Sequence, residues 1–343
     1  MKRFSILLIF LPLIFLEIFF HINSNFFKQI LLFNSNFTEW KIPAPRMNYW
    51  PETIILGNSI ALQGINPNIL QNELNTEGLN TEVGNVAVNA GTTSIDYFTL
   101  KRILSSCKKC PKRIILQISD ENLKKDSIPS LADSTLRRLL KLYYPDNQID
   151  ESLVSAANID PYYKQYLLTI KLETSFRTQF TANRLIDFFV NKLSQFLKIT
   201  NYDLYEPTYQ DSDFIHFSYT SAMDTKSKQS SFIYDKDKLV NYSIGGESEL
   251  FYDRFIKLAK QKGIKIYLVL PPQNKFYSDA FSKDEKLFVK FLSSSSKENN
   301  ITLIDDMNYN STNNSLFYDL THLNEKGASV FTKYLGLQLK NYW

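Results

Sequence analysis

The chain has 343 residues, 44% of them hydrophobic and 22% charged, with a formal net charge of +4. That length and apolar share suit one large core or two modest ones and exclude bulk disorder. The lysines are dispersed among acids instead of forming a stripe interleaved with aromatics, which excludes a nucleic-acid surface, so no nucleic-acid partner is expected.

In chain order, MKRFSILLIFLPLIFLEIFFHI sets Lys2 and Arg3 before an apolar run of about 20 residues, the length that crosses a bilayer. The basic tip would stay in the cytoplasm and send the rest across. Pro12 and Glu17 interrupt the run, and a cleaved signal peptide or a buried soluble helix are competing readings. No convincing small-x-small cleavage site precedes HINSNFFKQILLFNSNF. Residues 1–24 are read as a transmembrane anchor or signal anchor and 25–50 as a linker. Residues 51–343 are read as an α/β domain on the extracytoplasmic side.

Short runs rich in Ile, Val and Leu follow at Thr53 to Leu56, Val83 to Val88, Arg113 to Ile118, Ile264 to Leu270 and Ile301 to Ile304. Between them lie helical patterns. Asn66 and Pro67 read as a cap and first turn, TSIDYFTLKRILSSC has apolar residues at helical spacing, and ESELFYDRFIKLAKQKG stops on Gly263. KDEKLFVKFLSSSSKENN and NEKGASVFTKYLGLQLK complete the set. This alternation implies a parallel sheet with helices on both faces. The stretch at about 121–246 breaks the rhythm. It contains three helical patterns and then a tyrosine- and serine-rich loop region, and reads as a helical insertion between the third and fourth core strands, either a cap over a site or a pack of helices against the sheet.

The only cysteines, Cys107 and Cys110, sit in SSCKKCPKR. One CxxC supplies two of the four ligands a structural zinc takes, so a local disulfide in an oxidising compartment fits better. A thioredoxin-like motif would open a helix, whereas this one closes one. No ligand cluster indicates a metal or a diffusible cofactor.

In IILGNSIALQGINP, the first strand ends on Gly57, presents Asn58 and Ser59 and enters a helix. At the carboxyl end of a parallel strand, a helix N-terminus aims N–H groups at developing negative charge, which suits a nucleophile. An ordinary strand-to-helix turn is the alternative. A serine needs a base. Of the three histidines, His21 lies in the apolar N-terminal run, His216 in the irregular part of the insertion and His322 just before the last helix. Elimination leaves His322 and, less well placed, His216. Asp319 precedes His322 by three residues, close enough to orient one imidazole nitrogen while the other faces the serine. Alone, DLTHL also reads as a capping loop with a surface histidine.

Taken together, these segments resemble the SGNH or GDSL-like hydrolase superfamily. ILGNSIALQGI is similar to its first block, with Ser59 at the nucleophile and Asn58 where many members carry Asp. NVAVNAGTTS is similar to the second block, whose glycine, here Gly91, gives an N–H to the oxyanion hole. DLTHLNEKGA is similar to the fifth block, which carries the acid Asp319 and base His322. The resemblance covers roughly 50 to 120 and 250 to 340. It implies a three-layer α/β/α, flavodoxin-like fold with a five-stranded parallel sheet. The third block, Gly-x-Asn-Asp, is absent: the third strand runs into LQISDENL. Asn122 or Asn89 is then the substitute donor, or the hole rests on the Ser59 and Gly91 N–H groups alone.

Membrane-anchored members that act on envelope polymers also diverge at that block. The D-alanyl transfer protein of teichoic acid modification and exopolysaccharide acetyltransferases are examples, and KIYLVLPPQNKFY is similar to their fourth-strand segment. The resemblance implies a serine esterase or O-acyltransferase acting on acyl groups of an envelope glycan or lipid, with a membrane-bound O-acyltransferase as partner. A catalytically weak accessory protein of such a system is the other reading.

Overall fold

A computed structural model of the chain describes residues 50–89, 91–125, 220–238 and 241–343, all within one compact unit. The expected anchor, nearly all of the linker, His21, His216 and the three helical patterns between 126 and 219 lie outside the described residues. No described helix is long and apolar enough to cross a membrane.

Five strands form the sheet: β1 (Thr53–Leu56), β2 (Val83–Asn85), β3 (Arg113–Gln117), β4 (Lys265–Leu270) and β5 (Thr302–Asp305). They lie in the order β2-β1-β3-β4-β5 and every pairing is parallel. Ile55 stands beside Ile115, which stands beside Tyr267. Both Ile54 and Ile55 are fully buried. Successive side chains on a strand point to opposite faces, so a strand buried on both sides reads as a continuous apolar run, as TIIL does.

The helices are α1 (Ser59–Gly64), α2 (Pro67–Thr76), α3 (Thr93–Ser106), α4 (Asp120–Leu123), α5 (Thr225–Lys238), α6 (Gly246–Gln261), α7 (Lys275–Ala280), α8 (Ser282–Asn299) and α9 (Glu325–Lys340). On one face, Leu70 and Leu74 of α2 and Phe331, Leu335 and Leu339 of α9 join Ile55, Ile115, Tyr267, Val269 and Ile304 in one cluster. On the other, α3 packs on α6, with the Phe98 and Phe251 rings 5.4 Å apart. Each such fully buried side chain stabilises the fold by roughly 1.5–3 kcal/mol.

Strand order reverses between β1 and β3: from β1 the chain goes to β2 at the edge, then returns past β1 to β3. Open parallel sheets bind ligands at the carboxyl end of such a switch point, and α1 starts there. Asn85 fixes it from below. Its Nδ2 donates to the Ala61 and Ile65 carbonyls at 3.0 Å each, closing the last turn of α1.

Three features depart from the sequence reading. β2 ends at Asn85, although the segment continues along β1 through Val86 N–H to Ile55 and Val88 N–H to Gly57. TKSKQSSFIYDKDK, expected within an irregular loop region, is the helix α5. Its apolar residues Phe232, Ile233 and Tyr234 are contiguous, so no helical period announces it. KFYSDA forms α7 on an Asn274 cap, where the sequence reading named no helix.

The chain leaves the sheet layer after Lys125 and re-enters it beside the exit. Lys124 and Ile244 form an antiparallel bridge, and the Lys125 N–H donates to the Ser243 carbonyl. Cys107 caps the end of α3 and is joined to Cys110 in a disulfide ahead of β3.

Candidate active site

β1 stops because Gly57 takes φ +139°, a region open to glycine, and because a Cβ there would meet the Gln117 Oε1 at 2.6 Å. The same Oε1 accepts the Asn58 N–H at 3.1 Å. Asn58 then caps α1, its Oδ1 accepting the Ile60 N–H at 2.9 Å. Ser59 is thereby the first helical residue, and its own N–H, as one of the first four of the helix, has no intrahelical acceptor.

The base and acid arrive from the other end of the chain. The loop between the short 3-10 turn Asn314–Leu316 and α9 closes on itself: Phe317 and Leu323 bridge, and the Tyr318 N–H donates to the His322 carbonyl at 2.8 Å. Within it the Asp319 Oδ1 accepts the Thr321 N–H at 2.9 Å and the His322 N–H at 2.8 Å. The His322 Nδ1 lies 2.9 Å from Asp319 Oδ2 and 3.0 Å from Oδ1. Its Nε2 lies 2.8 Å from Ser59 Oγ. A carboxylate can only accept, so Nδ1 carries the proton and Nε2 accepts from the serine hydroxyl.

Burial pushes the His322 imidazole down, but the Asp319 charge and hydrogen bond, followed by the charges of Glu121 and Asp235, outweigh it and hold the group above its ordinary value. Burial pushes the Asp319 carboxyl up, and the His322 charge, its hydrogen bond and the two backbone N–H donors reverse that, leaving it below the usual range. The pair therefore favours imidazolium beside carboxylate, the state reached when a serine gives up its proton.

The donors expected for an oxyanion are arranged differently from expectation. The Gly91 N–H is engaged, donating to the Val88 carbonyl at 2.8 Å in a tight turn. The resemblance implied that this N–H serves the oxyanion; its acceptor here is a main-chain carbonyl. Gly91 serves instead by close packing, since a Cβ there would stand 2.7 Å from the Gly57 carbonyl oxygen and 3.2 Å from the Asn58 Cα. Asn122 is buried at the start of α4, where its Nδ2 donates to the Gly91 carbonyl at 2.8 Å. An amide nitrogen has two protons, so one remains. Asn89 is half-buried in the loop between β2 and α3.

Several residues here went unread in the sequence. Ser119, which forms a capping box with Asn122 at the end of β3, is one. Gln117 is the one polar residue inside β3's buried run. Asp96 is a buried carboxyl on α3 that accepts the Gly57 N–H. Asp235 falls on the unforeseen α5.

A family model without a functional description matches residues 235–342, less than half of the chain. No curated protein matches. Among solved structures, the acetyl xylan esterase AlAXEase is similar at 14% identity and a TM-score of 0.39, covering 84% of this chain and 98% of its own. A lipase/acylhydrolase from Enterococcus faecalis is similar at 12% identity and a TM-score of 0.35, covering 85% and 96%.

Proposed function

We propose that the protein is a serine esterase or O-acyltransferase, anchored by its N-terminus, that handles ester-linked acyl groups of a cell-envelope glycan or lipid on the extracytoplasmic side. The observation that carries the chemistry is the contact of Ser59 Oγ with His322 Nε2 at 2.8 Å while Nδ1 rests on Asp319 at 2.9 Å. In the proposed step His322 takes the hydroxyl proton as Ser59 Oγ attacks the ester carbonyl carbon. The resulting oxyanion faces the Ser59 N–H and the second Asn122 Nδ2 proton. Collapse expels the alcohol, which leaves with the proton from His322, and an acyl-serine remains. Water or a sugar hydroxyl then gives its proton to His322 and takes the acyl group, while the departing Ser59 Oγ takes that proton back from His322; the enzyme is an esterase or a transferase respectively.

The Cys107–Cys110 disulfide supports an oxidising compartment, and the apolar run after Lys2 and Arg3 supports an anchor over residues 1–24. A membrane-bound O-acyltransferase that supplies the acyl group fits a transferase of this kind. The engaged Gly91 N–H favours a second reading, an accessory protein with little turnover, because loss of an oxyanion donor slows acyl transfer on the order of a hundredfold or more.

Intact-mass labelling with a fluorophosphonate or a p-nitrophenyl acyl ester decides between them. The expected result is one adduct on the wild type, none on Ser59→Ala, and labelling of His322→Ala slowed on the order of a hundredfold or more. A folded wild type that takes no adduct overturns the enzyme reading.

A further inference from the structure

Resting on Ser59 as the nucleophile, we infer that Asn58 is a positioning residue whose carboxamide is matched to that of Asn122, so that the site requires an amide at position 58 and rejects a carboxylate.

Backbone groups fix both amides. Asn58 Oδ1 accepts the Ile60 N–H at 2.9 Å, which leaves Nδ2 facing Ser119 Oγ at 3.1 Å and Asn122 Oδ1 at 3.2 Å. Asn122 Oδ1 accepts the Ser119 N–H at 3.0 Å, and its Nδ2 donates to the Gly91 carbonyl at 2.8 Å. An N–H only donates and a carbonyl only accepts, so neither side chain can flip. The Ser119 hydroxyl also donates to Asn122 Oδ1, at 2.8 Å. All three residues are buried, Asn58 at 1% exposure.

A carboxylate at position 58 would keep the cap on Ile60, for aspartate and asparagine cap helices about equally well. Its second oxygen would then face Asn122 Oδ1, acceptor against acceptor. Turning the Ser119 hydroxyl to serve it would strip that proton from Asn122, since one hydroxyl has one proton. With the hydroxyl unturned, the second carboxylate oxygen has no donor; with it turned, Asn122 Oδ1 keeps only the Ser119 N–H and still faces that oxygen, acceptor against acceptor. The amide pair holds together three segments that meet behind Ser59: the β1–α1 turn, the β3–α4 turn and the Gly91 loop. It also holds the remaining Asn122 proton in place.

The test compares the full-length wild type with Asn58→Asp and Asn58→Ser by fluorophosphonate labelling rate and by thermal unfolding across pH. The titratable groups on the elements around position 58 are Asp96 on α3, Asp120 and Glu121 on α4, and Asp319 and His322 on the closing loop. Burial raises the pKa of an introduced carboxyl here, as it does those of Asp96 and Asp120. Protonated, that carboxyl can donate to Asn122 Oδ1. Labelling of Asn58→Asp relative to wild type is expected to be down roughly tenfold or more at about pH 8 and to recover as pH falls toward about 5.5, with the gap in Tm narrowing in parallel. Asn58→Ser keeps a capping oxygen but cannot reach Asn122, and its labelling relative to wild type should be reduced at every pH. Wild-type rates and Tm in Asn58→Asp at every pH, or wild-type labelling in Asn58→Ser, overturn the inference. If the wild type takes no adduct while the Tm ordering holds, the positioning role falls with the nucleophile. An adduct on the wild type without that ordering spares the nucleophile and removes the pairing.

Discussion

Gly57 cannot be replaced without moving Gln117, because both the Oε1 and the main-chain oxygen of that residue stand within 2.8 Å of where a Cβ would go. The nucleophile's departure from β1 is thus set by one strand neighbour and one glycine. At the same scale, His322 must be neutral to take the Ser59 proton, and its pKa is raised above 6.5. Labelling should accordingly rise with pH through a midpoint above that value, and Asp319→Asn should move the midpoint down while slowing the reaction on the order of a hundredfold or more. A midpoint unmoved by Asp319→Asn would contradict the coupling. Ser59, Asp319 and His322 could be picked out from sequence because each lies beside a local signal: a glycine at a strand end, and an acid three residues from a histidine. The Asn58–Asn122 pairing and the engaged Gly91 N–H could not. They depend on which lone pair meets which proton when three distant segments pack, and spacing says nothing of that.

Among the elements, α9 holds the closing loop in register through its first turn. Asn324 caps it by accepting the Gly327 N–H at 3.0 Å, and the Asn324 N–H donates back to the Leu316 carbonyl. A Cβ on Gly327 would stand 2.0 Å from that same carbonyl oxygen, which is main chain and cannot swing aside. Gly327→Ala should therefore push the 316–324 segment away from α9. The expected outcome is a stability loss of roughly 1–3 kcal/mol by denaturant unfolding and labelling slower than that loss explains, because His322 moves with the segment. Unchanged labelling in a destabilised variant would show that the loop is held by other contacts. The helices α2, α3, α6, α8 and α9 were legible through apolar spacing and caps. By contrast, α5 has a polar face nearly all round and is held by Phe232 packing against Phe276 and Phe281, a tertiary contact without a periodic trace.

Over the whole molecule, burial raises carboxyls around the end of the sheet: Asp96 to about 8 from its ordinary 3.8, and Asp120 to about 6 even though Tyr277 donates to it at 2.8 Å. An acid whose folded pKa exceeds its unfolded one binds more protons when folded. Its stabilising effect is full below the unfolded value and is lost as pH rises toward the folded value. For Asp96 that window runs from about pH 4 to about pH 8. Asp96→Asn keeps an acceptor for the Gly57 N–H and removes the titration. It should raise Tm at about pH 8, by the equivalent of roughly 1–3 kcal/mol, and converge on wild type toward about pH 4; a constant difference across pH would refute this. The parallel pairing with helices on both faces followed from the alternation of strands and helices, while these protonation states arise only once the layers close. Finally, the bridge between Phe317 and Leu323 makes the acid and base a single module. Any motion that withdraws the loop from β1 carries Asp319 and His322 together, so the serine contact can break while the imidazole keeps its tautomer and its partner. Such a separated form would be idle yet fully primed, reactivated by a rigid shift alone, and its Nδ1 proton would give the same hydrogen-bonded signature in both positions.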